Sequence, residues 1–245
     1  MRLLIISDIH ANLTALQAVL EDAGNQAWEQ IWCLGDVVGY GPDPNECVAL
    51  LRSFPHHISL SGNHDWAVLN RLDINNFNME ARQAIHWTQS QLTPESHAYL
   101  DSLPSLVLVP PHFTLAHASP RQPVWEYILD ANVAAANLLH FETPICLVGH
   151  THTPIIYTYM DDQVMTRTPL YNQPINLNIA ERLIINPGSV GQPRDGDPRA
   201  AYALLDLEEM TWEHRRVAYD VAATQARMRQ HDLPPRLIAR LAYGW

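Results

Sequence analysis

The segment LLIISDIH, residues 3–10, decides the fold of this chain. Its first four residues form a short, wholly apolar run, which is typical of a strand buried on both faces of a sheet. Asp8 and His10, two side chains that can bind a metal ion, follow this run almost directly. Because alternate residues of an extended segment point to the same face, we predict that both side chains leave one side of the chain.

Strand-like and helix-like segments alternate through the first third of the chain. A helix is predicted at 13–23, a strand at 31–34, a helix starting at Asp43 and a strand at 58–60. This alternation predicts parallel βαβ units. In such sheets the functional groups gather beyond the carboxyl ends of the strands, so the residues that follow these strands are candidates for a site.

Side chains that can bind metal recur after the apolar runs in five motifs. In chain order these are Asp8-Ile9-His10, Gly35-Asp36, Gly62-Asn63-His64-Asp65, His117 and Gly149-His150-Thr151-His152. Carboxylate, amide and imidazole groups without thiolate suit Mn, Fe, Ni, Co or Zn better than Ca or Mg. Asp65 is placed to orient its neighbour His64. The set offers seven ligands for two metal ions and one spare histidine.

The rest of the chain is predicted to combine helices with strands that include antiparallel hairpins. Helices are predicted at 75–91, 94–103, 220–230 and 235–241, and strands at 106–109, 113–116, 145–148, 155–160, 163–168, 183–185, 201–206 and 211–217. No repeat or long polar linker interrupts the pattern. Since motifs from distant parts of the chain must converge, residues 1–245 are expected to form a single domain.

The charge and composition of the chain limit the kinds of molecule that it is expected to bind. The formal net charge is −11, from 15 basic and 26 acidic residues, and no basic strip is visible, so stable binding to nucleic acid is not expected. A small phosphorylated substrate is favoured. The amino-terminal apolar run is too short for a signal peptide or membrane span, and Cys33, Cys47 and Cys146 lack CxxC spacing. We therefore expect a cytoplasmic protein with no membrane partner.

The five motifs, in this order, resemble those of the calcineurin-like metallophosphoesterase superfamily, whose pattern is DxH, GD, GNH(D/E), a lone His and GHTH. The segments 7–12, 35–42 and 186–191 are also similar to the branch of small bacterial and archaeal phosphodiesterases. The resemblance implies an α/β fold, a four-layer α/β/β/α sandwich of two mixed sheets. It covers nearly the whole chain, and it specifies the fold and the metals more closely than the substrate.

The resemblance also implies a role for each motif residue. One divalent ion would be held by Asp8, His10, Asp36 and His152, and the other by Asp36, Asn63, His117 and His150. Asp36 would bridge the two ions, while His64 and Asp65 would serve catalysis without binding metal. Manganese is the favoured metal, with Fe, Ni, Co, Zn and Mg as alternatives.

Two ions close together lower the pKa of a water molecule between them, and the resulting hydroxide can attack phosphorus directly. In this scheme His64 stabilises the transition state and protonates the leaving oxygen. Three further residues are predicted to contact the substrate: Arg121, Ser189 and Arg194.

The leading functional hypothesis is a phosphodiesterase that acts on a small or nucleotide-like phosphoester. The same ligands would serve a phosphomonoesterase, including a protein serine/threonine phosphatase, or a dinucleoside polyphosphate hydrolase. A non-catalytic scaffold on this fold, similar to a retromer subunit, is a more distant alternative, as is a nuclease. The sequence does not fix the oligomeric state, and a homo-oligomer is one of the states it allows.

Overall fold

The computed structural model describes all 245 residues. The strands, β1 to β12 in chain order, are Arg2–Ile6, Gln30–Cys33, His57–Ser59, Leu106–Val109, Phe113–Ala116, Ile145–Leu147, Ile155–Met160, Gln163–Arg167, Ile175–Asn176, Arg182–Asn186, Ala200–Asp206 and Thr211–Val217. The α-helices, α1 to α8, are Leu13–Gly24, Pro44–Arg52, Asn63–Val68, Met79–Gln91, Pro94–Ser102, Ala131–Asn137, Val221–Gln230 and Pro235–Arg240. None of these helices is both long and apolar enough to cross a bilayer.

Two six-stranded sheets form the centre of the molecule. The first has the order β3-β2-β1-β11-β12-β9 and the second the order β4-β5-β6-β10-β7-β8. Strands β1, β2 and β3 are parallel, as predicted, whereas β11 runs antiparallel to β1. Strand β10 runs parallel to β6 and antiparallel to β7, so the second sheet is mixed as well.

The alternation of side chains along β1 explains how the layers are held together. Leu3 and Ile5 belong to the core between the two sheets, while Leu4 and Ile6 belong to the core between the first sheet and its helices. The period-two pattern of a strand thus supplies both cores from one apolar run. On the far side of the second sheet, Ala134 of α6 packs on Ile184 and its neighbours. The predicted four-layer sandwich is confirmed.

We expect Ile5→Ala to lower the free energy of unfolding by about 2–5 kcal/mol, because it removes buried methylenes from the core between the sheets. Ile5 is fully buried. Chemical denaturation monitored by circular dichroism measures the change. Met165→Ala is the control, since this side chain is 53% exposed, and its effect should stay within about 0.5 kcal/mol. Equal effects of the two substitutions would contradict the packing of this strand between two layers.

Three elements were not predicted from the sequence. Helix α3 begins inside the Gly62-Asn63-His64-Asp65 motif, while α6 and the two-residue strand β9 lie in segments for which the sequence predicts no helix or strand. The helix predicted at 75–91 begins only at Met79, after a single 3-10 turn. These elements are short, so each carries little periodicity of its own.

The parallel strands of both sheets end at one edge of the sandwich. His117 directly follows β5, and its Nδ1 donates a hydrogen bond of 2.8 Å to the carbonyl oxygen of Leu34, which follows β2 in the other sheet. The loops that carry the five motifs therefore converge across the two sheets, as the βαβ reading of the sequence predicts.

Candidate metal centre

The motif residues reach this edge through an unusual backbone. Five of them have a left-handed backbone with positive φ: Asp8 (53°), His10 (49°), Asp36 (52°), His150 (66°) and His152 (59°). Such angles are uncommon for residues other than glycine and concentrate at functional sites. The prediction that Asp8 and His10 lie on an extended segment is therefore wrong. Tight turns, and not strand alternation, bring their side chains together.

Hydrogen bonds between loops hold these turns in place. The N–H groups of Asp8 and His10 donate to the carbonyl oxygens of Gly35 and Asp36 at 3.0 and 2.9 Å. A Cβ atom at Gly62 would lie only 2.1 Å from Oδ1 of Asp36, so this close approach of two loops requires glycine. The first three motifs therefore form one interlocked unit.

In the first cluster of candidate ligands, the Nε2 atoms of two imidazoles point at each other. Nε2 of His10 lies 3.0 Å from Nε2 of His152. Each Nδ1 is close to a backbone carbonyl, that of Val38 at 3.2 Å and that of Gln192 at 2.6 Å. Because a carbonyl oxygen only accepts, both protons sit on Nδ1 and both Nε2 atoms present lone pairs. Two lone pairs at this distance need a cation, and the ligand atoms of the whole cluster lie within 4.8 Å of one another: Asp8, His10, Asp36 and His152.

The second cluster shares Asp36 with the first and adds His117 and His150, again with ligand atoms within 4.8 Å. Oδ1 of Asn63 lies 3.2 Å from Nε2 of His117, so the predicted amide ligand joins this cluster. Nε2 of His150 donates to the carbonyl oxygen of Trp125 at 3.2 Å, which leaves Nδ1 of His150 free to bind. The structure thus brings together all seven residues predicted to bind metal.

Asp36 is the residue that joins the clusters. Its Oδ1 accepts the N–H of His64 at 2.8 Å, whereas its buried Oδ2 has no hydrogen-bond partner. This Oδ2 lies 3.6 Å from Nε2 of His10 and 3.4 Å from Nε2 of His117, one histidine from each cluster. An unpaired buried carboxylate oxygen is costly, and a bound cation removes that cost. The residues present therefore fit divalent metal ions.

The protonation states suit metal binding at most positions. Burial lowers the pKa of His10 and His152 well below the ordinary value, and that of His150 to about 3. These rings are neutral at pH 7, which is the form that binds metal. Burial also disfavours a charged His117, but Asp36 outweighs it and raises the pKa of His117 to about 9. A metal ion at His117 must therefore displace a proton.

His64 lies beside the clusters without belonging to either. Its ring contacts those of Tyr40 and Phe77, with centroids 4.2 and 5.2 Å away. Its buried Nδ1 has no partner, and a Cβ atom at Gly39 would lie 2.6 Å from it. Because Nδ1 faces the backbone at Gly39, Nε2 is the nitrogen left to face a substrate. Burial lowers the pKa of His64 to about 4.

Asp65 does not make the contact predicted for it. Its carboxylate accepts the backbone N–H groups of Gly62, Val37 and Val38, at 2.9, 3.3 and 3.1 Å, and makes no hydrogen bond to the ring of His64. The prediction that Asp65 orients this ring is therefore corrected. Since Asp65 lies in the first turn of α3, its side chain folds back onto the N-terminus of the helix. It braces the loops that carry the other motifs.

The predicted substrate residue Ser189 is used inside the chain. Its buried hydroxyl donates to the carbonyl oxygen of Asp8 and accepts the N–H of Gln192, both at 2.8 Å. The neighbouring Asn186 donates to the carbonyl oxygen of Gly149 at 2.6 Å and so holds the last motif. In this structure the turn supports the ligand loops, and its contact with substrate stays a prediction.

Arg121 and Arg194 have different surroundings. The Arg121 guanidinium forms an ion pair with Glu126 and is 37% exposed. Arg194 has no acidic partner, and it donates to Oε1 of Gln192 at 2.9 Å and to the hydroxyl of Tyr40 at 3.4 Å. Of the two arginines, Arg194 is the one with charge available to an anion. Their roles in substrate binding stay predictions.

Four aromatic residues, here called the aromatic collar, surround the clusters: Tyr40, Phe77, Trp125 and Tyr127. The ring of Tyr127 lies 3.8 Å from that of His150, and Phe77 lies 5.1 Å from Trp125. Sequence reasoning did not single out Phe77 or Tyr40 as part of the site. It also missed the carbonyl groups that fix the histidines, because every residue type carries a carbonyl.

The loop that holds His150 has its own anchor, Glu126. Its carboxylate accepts hydrogen bonds from Arg121, Ser119 and Asn137, which fix the carbonyl of the preceding Trp125. We expect Glu126→Gln to weaken metal binding about tenfold, because groups that orient ligands typically contribute that much. Metal titration by calorimetry measures the affinity. Glu142→Gln, at an exposed position, is the control, and equal affinities in both variants would contradict this role.

Two mixed sheets between helices, with histidine–carboxylate clusters at their common edge, define a metal-binding protein of the metallophosphoesterase fold. The family model of the calcineurin-like phosphoesterase superfamily domain matches residues 1–210, so the chain belongs to this family. The resemblance seen in the sequence is confirmed. Membership and the clusters together indicate divalent-metal binding, and the family supports hydrolysis of phosphoesters.

Individual relatives agree with this membership. The chain is 37% identical to an uncharacterised protein of Methanocaldococcus jannaschii over 244 residues, which are 98% of this chain and 97% of the relative. The crystal structure of a metallophosphoesterase from Sphaerobacter thermophilus is 48% identical, has a TM-score of 0.89 and is matched over 100% of this chain and 99% of its own. A hypothetical protein from Pyrococcus horikoshii, 20% identical, shares the fold with a TM-score of 0.81, over 100% and 98% of the two chains.

Proposed function

We propose that this protein is a phosphodiesterase that uses two divalent metal ions, manganese by preference, to hydrolyse a small or nucleotide-like phosphoester. The observation that carries the proposal is the position of Oδ2 of Asp36. It is buried, has no hydrogen-bond partner and lies within 3.6 Å of one histidine from each cluster. A carboxylate shared in this way supports two neighbouring ions more than a single one.

Two bound ions would polarise the phosphoester oxygens and lower the pKa of a water molecule. The chain itself contributes orientation and a proton. The carbonyl groups of Val38, Gln192, Leu34 and Trp125 fix the four ligand histidines in the tautomers that the clusters need. His64, outside both clusters, would donate a hydrogen bond from Nε2 to the transition state and, once the negative charge of a bound phosphoester raises its pKa, would give a proton to the leaving oxygen.

The depth of the site favours a small substrate. The seven ligand side chains are only 0–3% exposed, and they lie behind the aromatic collar. A phosphorylated side chain on the surface of a folded protein reaches such a depth poorly. The net charge of −11 also disfavours a long polyanion. These observations support a small phosphoester over a phosphoprotein or a nucleic acid.

Other members of the reaction class use the same ligand types. A phosphomonoesterase or a dinucleoside polyphosphate hydrolase needs the same two clusters, so the ligand set alone favours neither. A scaffold without activity has no need of an unliganded His64 beside two complete clusters. The presence of this residue therefore supports an enzyme.

A substrate panel tests the proposal. We expect the protein with added Mn²⁺ to turn over bis-p-nitrophenyl phosphate faster than p-nitrophenyl phosphate, with Fe²⁺, Co²⁺, Ni²⁺, Zn²⁺ and Mg²⁺ run in parallel. Faster turnover of the monoester would favour the phosphomonoesterase. Absence of turnover of any phosphoester with every metal would favour the scaffold.

The cellular compartment and the domain organisation of the protein are also proposals. Cys33, Cys47 and Cys146 are all free and buried, and burial raises the pKa of each thiol. Unreactive free thiols are consistent with a reducing cytoplasm. We further propose that residues 1–245 act as one domain, because Asn12 of the first loop donates to the carbonyl oxygen of Gly191, far along the chain, at 3.0 Å.

A further inference from the structure

Two arginines from distant parts of the chain lie side by side near the metal centre. Arg194 follows β10 in the loop, and Arg240 is the last residue of α8. Both donate to the same acceptor, Oε1 of Gln192, at 2.9 and 3.2 Å. Nothing in the sequence singles out Arg240, because a basic residue at the end of a predicted helix is common.

Neither charge is neutralised within the chain. The two guanidinium groups form no salt bridge, and the Nε atom of each is buried without a hydrogen-bond partner. The nearby Glu80 is instead 3.6 Å from Arg236. Burial, together with the charge of Arg194, lowers the pKa of Arg240. Two adjacent cations that share one neutral acceptor and have no carboxylate partner favour the binding of an anion between them.

The arginine pair adjoins the metal centre through two connections. The backbone carbonyl of Gln192 accepts Nδ1 of His152, so the residue that joins the arginines also orients a metal ligand. The Arg194 guanidinium reaches the hydroxyl of Tyr40, whose ring lies 4.6 Å from that of His10. Both arginines are partly exposed, which leaves them accessible to an anion in solution.

We propose that Arg194 and Arg240 form a subsite for a second phosphate group of the substrate, separate from the phosphate that is cleaved. The inference rests on the proposed function and specifies its substrate class, a phosphoester that carries an additional phosphate. Guanidinium groups bind phosphate through paired N–H donors, and two of them match a dianion. Because Arg194 contacts Tyr40, which lies beside His10, and Gln192 joins both arginines to His152, the second phosphate lies on the His10 and His152 side of the centre.

Two chromogenic substrates test the subsite in the Mn²⁺-loaded protein: thymidine 5′-(p-nitrophenyl phosphate) with and without a 3′-phosphate. We expect kcat/KM to be at least about tenfold higher with the 3′-phosphate, since a hydrogen bond to a charged group contributes at least that factor. Arg240→Gln and Arg194→Gln should each reduce this preference ratio to near one. Arg240→Lys, which keeps the charge, should retain part of it.

Arg236→Gln is the matched control, because Arg236 lies one turn away on α8, is 77% exposed and pairs with Glu80. It should leave the preference ratio unchanged. Thermal unfolding verifies that each variant is folded, and Arg240→Gln decides the test if Arg194→Gln does not fold. A ratio near one in the wild type, or an equal ratio in the wild type and Arg240→Gln, overturns the subsite.

A binding measurement separates failure of the subsite from failure of the proposed function. If neither substrate is turned over, calorimetry compares thymidine 3′,5′-bisphosphate with thymidine 5′-monophosphate on the same Mn²⁺-loaded proteins. At least about tenfold tighter binding of the bisphosphate, lost in Arg240→Gln, would uphold the subsite on a protein that is not an enzyme. Equal binding of the two nucleotides would overturn it.

Discussion

Asp36→Asn is expected to lower turnover at least about a thousandfold, because charge stabilisation worth several kcal/mol is lost with the shared carboxylate. Oδ2 of Asp36 has no hydrogen-bond partner within the chain, and an amide cannot supply the negative charge that a cation there would require. Metal content should fall in the same variant, since both clusters depend on this one side chain. Elemental analysis and steady-state kinetics with Mn²⁺ measure the two effects.

Asp161→Asn is the matched control for this substitution. Asp161 is exposed, and its φ of 52° equals that of Asp36, so the same chemical change is made at a residue with the same positive φ in both variants. Metal content and turnover should not change in the control. If Asp36→Asn kept a full complement of metal with unchanged turnover, the shared carboxylate would not be the centre of the site.

His64→Ala is expected to lower turnover by about a hundredfold or more, the usual contribution of a general acid or of one transition-state donor. Metal content should stay unchanged, because His64 belongs to neither cluster and its Nδ1 faces Gly39. The combination of lost turnover and retained metal distinguishes a proton donor from a ligand. Kinetics and elemental analysis on the same preparation test both parts.

His97→Ala controls for the loss of an imidazole, since His97 is exposed on α5. It should match the wild type in turnover and metal content. Loss of metal from His64→Ala would mean that His64 is a ligand, and the proposed role of this residue would then be wrong. Full turnover in His64→Ala would mean that another group supplies the proton.

The sequence predicted most of the fold, because most elements carry their own periodicity. The run 3–6 alternates between two cores, and β7 and β12 have the predicted bounds of Ile155–Met160 and Thr211–Val217. Helix α6 and strand β9 were missed, since seven and two residues are too few to show a period. Their place depends on packing against the second sheet and on pairing with β12.

The sequence also predicted which side chains would lie close together. For Asp8 and His10, however, the backbone geometry from which this was predicted is wrong. The extended segment expected at Asp8 and His10 is a turn with positive φ at both residues. A residue other than glycine adopts such a backbone only when its surroundings hold it there. Those surroundings are the hydrogen bonds to Gly35 and Asp36, which come from another part of the chain and cannot be read locally.

The amino-acid sequence by itself determined most strand ends and the motifs that carry the candidate ligands, because apolar periodicity and motif spacing are local properties of the chain, while the layers followed from the resemblance of those motifs to a known family. Only the tertiary structure decided the tautomers of the histidines, the unpartnered Oδ2 of Asp36 and the meeting of Arg194 with Arg240. These features arise from contacts between residues far apart in sequence. Backbone carbonyl groups make several of these contacts. Because every residue has the same carbonyl group, the sequence does not indicate which of them will do so.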